Sequence, residues 1–111
     1  MKSRLPKEYS GGVNSMAKKF QLVQKQIQEK SEEIEQMSFT SSSGGGAVTA
    51  VVSGKKIIES LTINPEVVDP EDVEMLQDLI IGAVNEALRQ VEETTETEID
   101  RITAGLPIPG I

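Results

Sequence analysis

Between Val13 and Met37 the apolar residues Val13, Met16, Phe20, Val23, Ile27, Ile34 and Met37 recur at intervals of three and four, with one seven-residue step across Lys30. That spacing draws a narrow apolar seam along a helix from about Gly12 to Met37, with Lys18, Lys19, Lys25 and the glutamines on its other faces. Such a helix is about 39 Å long, and a narrow seam needs a partner. Lys30 stands where the seam would be apolar. It either fixes register or pairing, or is a solvated position.

The remaining chain reads as strands followed by a second long helix. Ser38–Ser43 leads into Gly44, Gly45 and Gly46 and then AVTAVVS, which predicts two antiparallel strands joined by a permissive turn. Val48, Ala50 and Val52 alternate with Thr49, Val51 and Ser53, giving the second strand one apolar face. After Gly54 and Lys55, IIESLTI supplies a third strand with Ile57, Leu61 and Ile63 on one face, stopped by Asn64 and Pro65. Asp69 as cap, Pro70 at the first helical position and Glu71 and Asp72 in the first turn predict a helix start. Val73, Leu76, Ile80, Ala83, Ala87 and Val91 then form a stripe widened by Met75, Leu79, Val84 and Leu88, broad enough to pack on a sheet or on more than one helix. The helix is expected to run to Thr103, ahead of Gly105 and the segment LPIPGI.

These lengths do not match one another. The second helix would reach about 50 Å, whereas strands of six or seven residues span only about 20 to 23 Å. Both helices must project past the sheet, and a three-stranded sheet leaves an edge to protect. With 111 residues, 37% of them hydrophobic and only Tyr9, Phe20 and Phe39 aromatic, a lone protomer has little bulky material for a core. A homodimer with helical arms extending from a central sheet region satisfies these demands, two-fold symmetry being the commonest arrangement. Dimer contacts are expected from Phe20, Val23 and Ile27 on the seam and from Val48, Ala50 and Val52 on the strand.

Composition removes whole classes of chemistry. The chain has no Cys and no His, so disulfides, Cys/His zinc sites and His- or Cys-dependent catalysis are excluded. No apolar run approaches the ~18 residues of a membrane span, and no leader pattern opens the sequence, so a cytoplasmic protein is expected. The formal charge of -7 conceals an asymmetry. Residues 1–30 carry seven cations and two acids, whereas residues 65–111 carry twelve acids against Arg89 and Arg101.

Several features invite a site. Lys18 and Lys25 lie about 20° apart around a helix, with Lys19 about 100° from Lys18, so the first two share a face. That is either a phosphate-contacting stripe or a solvated surface. Lys55 and Lys56 at a hairpin tip have the same two readings. The triglycine is followed by a strand and no GK[ST], so it reads as a turn rather than a phosphate loop. Glu92, Glu93, Glu96, Glu98 and Asp100 read as a solvated face, because one exposed helix does not converge enough oxygens to hold a metal. Tyr9 and Phe39 are isolated and lack a basic sheet on which bases could stack.

The succession SFTSSSGGGAVTAVVSGKKIIESLTINPEVVDPEDVEMLQDLIIGAVNEALRQVEE, with a Gln/Lys/Glu-rich helix before it and GLPIPGI after it, closely resembles the YbaB/EbfC family of bacterial nucleoid-associated proteins. The resemblance runs from about Val13 to Ile111, and GGGAVTAVVSG, LTINPE and DVEMLQDLIIGAVNEA are its most specific parts. It implies an α+β fold, an α-β-β-β-α protomer with a three-stranded antiparallel meander and two long helices, forming a tweezer-like homodimer. It further implies binding to double-stranded DNA, with altered DNA conformation and little sequence preference.

The expected organisation is a basic segment over residues 1–12, one domain over 13–104 and a Pro/Gly-containing tail over 105–111. The expected DNA-binding residues are Lys18, Lys19 and Lys25, with Arg101 on the second helix and with Lys2, Arg4 and Lys7, which lie outside the resemblance. No catalysis, cofactor, metal, membrane or small-molecule substrate is expected, and the protein is placed in the nucleoid. The alternative is a dimeric structural or protein-interaction module that does not bind DNA directly.

Overall fold

Alternating burial along the central strand organises the protomer. The structure, a computed structural model, describes the backbone of residues 7–104 and the side chains of residues 15–104. Its elements are helix α1 (Lys7–Glu35), strands β1 (Ser38–Ser43), β2 (Val48–Ser53) and β3 (Ile58–Ile63), a short 3-10 turn (Pro65–Val67) and helix α2 (Val73–Thr103). The strands form one antiparallel meander in the order β1-β2-β3, with Phe39 opposite Val52, Ser41 opposite Ala50, and Ala50 opposite Leu61. The architecture is the expected α+β arrangement of two helices and a three-stranded meander.

Val48, Ala50 and Val52 are wholly buried on one face of β2, and α2 lies across that face. Small residues on α2 allow close approach: Ala83 packs with Val48 and Ala50, while Ala87 and Val91 pack with Val52, Phe39 and Ile34 of α1. Fully burying each valine contributes about 1.5 to 3 kcal/mol. These three strand residues, expected at a dimer interface, are therefore taken up by the protomer's own core.

Three element boundaries differ from the sequence reading, each for a local reason. Helix α1 begins at Lys7, running through Gly11 and Gly12, and closes at Glu35 with tight bonds from Gln36 N–H to the Glu33 carbonyl and Met37 N–H to the Ile34 carbonyl. Helix α2 begins at Val73, not Pro70, because Asp72 is the cap whose carboxylate accepts from Met75 N–H at 3.2 Å. Asp69 instead organises the preceding turn, accepting from Glu71 N–H at its side chain and from Asp72 N–H at its carbonyl. Pro70 suits the second position of such a turn as well as it suits a helix start. In β3 a register irregularity at Val51/Val52 skips Glu59 and sets Ile58 opposite Val52. The inward alternation is then Ile58, Leu61 and Ile63, in place of the expected set with Ile57.

The triglycine turn behaves as expected. Gly44, Gly45 and Gly46 all have positive φ (62°, 67° and 97°), a conformation that favours glycine.

Candidate nucleic-acid interface

Helix α1 and helix α2 run antiparallel away from the sheet. Their contacts step outward from Ile34 against Val91, through Lys30 against Glu98, to Gln26 beside Ile102. Helix α2 ends there, and α1 continues from Leu22 back to Lys7 for about 24 Å. This projecting arm is built from good helix formers such as Met16, Ala17, Lys18, Lys19, Gln21 and Leu22.

The seam expected on α1 is present, and its burial is graded. Ile34 is buried, Ile27 and Val23 are half-buried, and Phe20 and Met16 are 45% and 53% exposed. At about 100° per residue Lys18 and Lys25 lie roughly opposite that seam, and Lys19 lies at its margin. An apolar contact along the seam and a phosphate contact at Lys18 and Lys25 therefore do not compete for the same face.

Electrostatics separates the arm from the rest of the chain. Residues 9–28 contain Lys18, Lys19 and Lys25 and no acid. All three side chains are exposed, and none takes part in an ion pair among the described residues. Cations nearer the acidic helix are engaged. Lys56 Nζ lies 3.0 Å from Glu92, Arg101 lies 3.1 Å from Glu98, and Arg89 binds Glu86 and, at 2.7 Å, Glu93. Hydrogen bonds from the Arg89 guanidinium hold the Glu86 carboxyl below its usual range, and the same contacts raise Arg89. Arg89 already serves two carboxylates, which leaves little net positive charge to offer a phosphate.

Lys30 resolves into the pairing reading. Its ammonium, 30% exposed, lies 3.5 Å from Glu98 of α2 and 3.4 Å from Glu33, while Glu98 also forms an ion pair with Arg101. A lysine in an apolar seam thus meets its carboxylate across the helix pair, a contact that spacing on one helix alone cannot reveal.

The other expected site residues are placed as follows. Lys7 opens the backbone of α1, and Lys2 and Arg4 lie outside the described residues. Arg101 sits in the last turn of α2, exposed and paired. Lys55 is exposed at the β2–β3 turn without an ion pair among the described residues. A cleft of about 330 Å³ at the junction of α1, this turn and α2 is lined by Glu35, Glu92 and Glu96 besides Lys56, a setting that repels phosphate. Among the described residues no group of three or more acidic side chains is placed to hold a metal, and no helix is long and apolar enough to cross a membrane.

Comparison with known proteins agrees with this layout. A nucleoid-associated protein of Clostridium acetobutylicum is 52% identical over 110 residues, covering 99% of this chain and 98% of its own. One from Acetivibrio thermocellus is 50% identical over 104 residues, covering 93% and 92%. The crystal structure of an uncharacterized Helicobacter pylori protein superposes with a TM-score of 0.53 at 28% identity, covering 78% of this chain and 93% of that one. The profile of the YbaB/EbfC DNA-binding family matches residues 10–106, nearly the whole chain. The protein belongs to the YbaB/EbfC DNA-binding family.

Proposed function

We propose that this protein is a homodimeric nucleoid-associated protein that binds double-stranded DNA mainly through the phosphate backbone and alters the path of the duplex. The observation that carries this reading is the free part of α1, where Lys18 and Lys19 project past the acidic helix and Lys25 stands beside its end, all three without carboxylate partners among the described residues. Lysine is a flexible point charge suited to phosphate rather than base edges. Lys7 extends the same arm, Lys2 and Arg4 precede it in sequence, and Arg101 near the end of α2 is the remaining cation assigned to DNA. In a dimer two such arms grip one duplex at separated points, which bends or bridges it without base readout. The family membership and the nucleoid-associated relatives support a place on the nucleoid and a role without catalysis.

The -7 net charge of each protomer restricts contact to this local cationic surface. Affinity in the non-specific range follows, with Kd about 10⁻⁴ to 10⁻⁶ M at physiological salt. Fluorescence anisotropy of a labelled random-sequence duplex tests this, with binding expected at low salt and steep weakening as salt rises. Binding that ignores salt would overturn the backbone mechanism, and no binding even at low salt would overturn the DNA assignment. The exposed Met16 and Phe20 favour one rival, a protein-interaction module docking through the seam, which forecasts that absence of DNA binding.

A further inference from the structure

Burial along the α1 seam stops where α2 stops. Ile34 is buried and Ile27 and Val23 are half-buried, whereas past the end of α2 Phe20 and Met16 stand largely open to solvent. An isolated helix shorter than about 12 to 15 residues is marginal in water and owes its stability in proteins to packing of its apolar face. The arm is near that limit and carries Gly11 and Gly12, which weaken a helix further. A cover on Phe20 and Met16 would hold it.

The chain leaves α2 at the same place. The last turn of α2 sets Ile102 beside Gln26 and Lys30, and Ala104 still donates its N–H to the Asp100 carbonyl in helical geometry. Because α2 is antiparallel to α1, its axis at Ala104 points toward the N-terminal half of α1. Residues 105–111, GLPIPGI, follow directly and lie outside the described residues. Met16 is about 15 Å from Gln26 along α1, and a segment of that length reaches about 23 Å when extended. The segment has no charge and supplies Leu106, Ile108 and Ile111. Pro107 and Pro109 exclude a helix and favour an extended backbone at the residue before each. Leu106 and Ile108, two apart, then share one side of the chain. The prolines also bring no N–H to be left unpaired against an apolar face.

We propose that residues 105–111 pack along the α1 seam of their own chain, with Leu106 and Ile108 covering Val23 and Phe20 and Ile111 reaching Met16. The arm of a second copy is the poorer occupant. Residues 9–28 hold Lys18, Lys19 and Lys25 and no acid, so seam against seam brings like charges together with nothing to offset them. The neutral segment meets no such repulsion, and its tether beside Gln26 keeps it at an effective concentration of about millimolar. Lys18 and Lys25 lie roughly opposite the seam, so the packed segment leaves them open to phosphate. The segment thus serves as a strap that keeps the projecting part of α1 helical. Neither DNA binding nor a dimer is a premise of this assignment.

The test is amide hydrogen exchange of the DNA-free full chain, followed residue by residue by NMR. The amides of Met16 to Leu22 are expected to be protected in the native chain and to exchange at least tenfold faster in Leu106→Ser with Ile108→Ser. The amides of Val48 and Ala87, in the core, are expected to be unchanged and so report that the variant is folded. Unprotected Met16 to Leu22 amides in the native chain overturn the proposal. Protection that is the same in the variant also overturns it, because a second copy or another protein then covers the seam. A cysteine pair in this cysteine-free chain gives an independent readout. Phe20→Cys with Ile108→Cys is expected to close a disulfide within one chain under mild oxidation, and Lys18→Cys with Ile108→Cys to remain open. No link in the Phe20 pair, an equal link in the Lys18 pair, or a link between two chains contradicts packing of the segment on its own seam.

Discussion

Gly54 lies against the backbone of Ile34 so closely that a Cβ on the glycine would stand 1.9 Å from the Ile34 carbonyl oxygen. The same glycine donates its N–H to the Met37 carbonyl at 3.1 Å, and Ile34 is buried against Val52 and Val91. The base of the α1 arm is thus fixed to the sheet at a point where only glycine fits.

Replacing Gly54 with alanine is expected to cost about 3 kcal/mol or more, at the upper end for single substitutions, because the clash is with backbone and no rotamer relieves it. Chemical denaturation of Gly54→Ala against the native chain measures this. A loss well under about 1 kcal/mol would show that the end of α1 shifts freely, contrary to the packing described.

The triglycine turn gives a graded contrast. Gly44 combines φ of 62° with a Cβ position 2.7 Å from a Leu79 methyl, whereas Gly45, at φ of 67°, has nothing within 4 Å. Gly44→Ala is expected to destabilise by about 1 to 2 kcal/mol, and Gly45→Asn by less than about 1 kcal/mol, since asparagine tolerates the left-handed region. Thermal unfolding of the two variants checks the order.

Much of this was legible beforehand, and the exceptions share a cause. The apolar faces of β2 and α2 and the seam of α1 follow from periodicity, because one element's spacing determines which side chains lie together. What a face packs against is set by partners distant in sequence. Val48, Ala50 and Val52 read equally well as core or as interface, and only the placement of α2 decides for core. The one-residue irregularity at Val51/Val52 exchanged Ile57 for Ile58 on the inner face. Among the site residues, the opposition of Lys18 and Lys25 to the seam was readable from spacing, whereas the ion pairs of Arg89, Arg101 and Lys30 were not.

The Lys30–Glu98 pair predicts an asymmetry between its two members. Glu98→Ala removes the carboxylate shared by Lys30 and Arg101 and leaves a part-buried ammonium with only the exposed Glu33 contact on its own helix, at an expected cost of about 1 kcal/mol. Lys30→Leu restores the apolar seam and leaves Glu98 its Arg101 partner, so stability is expected to hold or rise. Equal losses from both variants in thermal melts would contradict a lysine held in the seam by pairing.

Acidification bears on the Glu86–Arg89 contact. The Glu86 carboxyl is held below its unfolded value by Arg89, so its contribution is present above that value, about 4.3, and is lost as pH falls through the lower folded value. Following the Glu86 carboxyl by NMR titration is expected to show a midpoint below that reference, and Arg89→Gln is expected to move it upward. An unchanged midpoint in Arg89→Gln would remove the charge-assisted contact from the account.

The claim that the exposed lysines of α1 bind the phosphate backbone is tested most directly by the salt dependence of duplex affinity for the native chain and for Lys18→Gln with Lys25→Gln. Each phosphate contact contributes a slope of about -0.9 in log K against log salt concentration. The double variant is expected to bind more weakly at low salt and to have a slope shallower by about 1.8 for each arm in contact, while Arg89→Gln leaves the slope nearly unchanged. An unaltered slope in the Lys18/Lys25 variant, or a larger change in Arg89→Gln, would contradict binding through the arm.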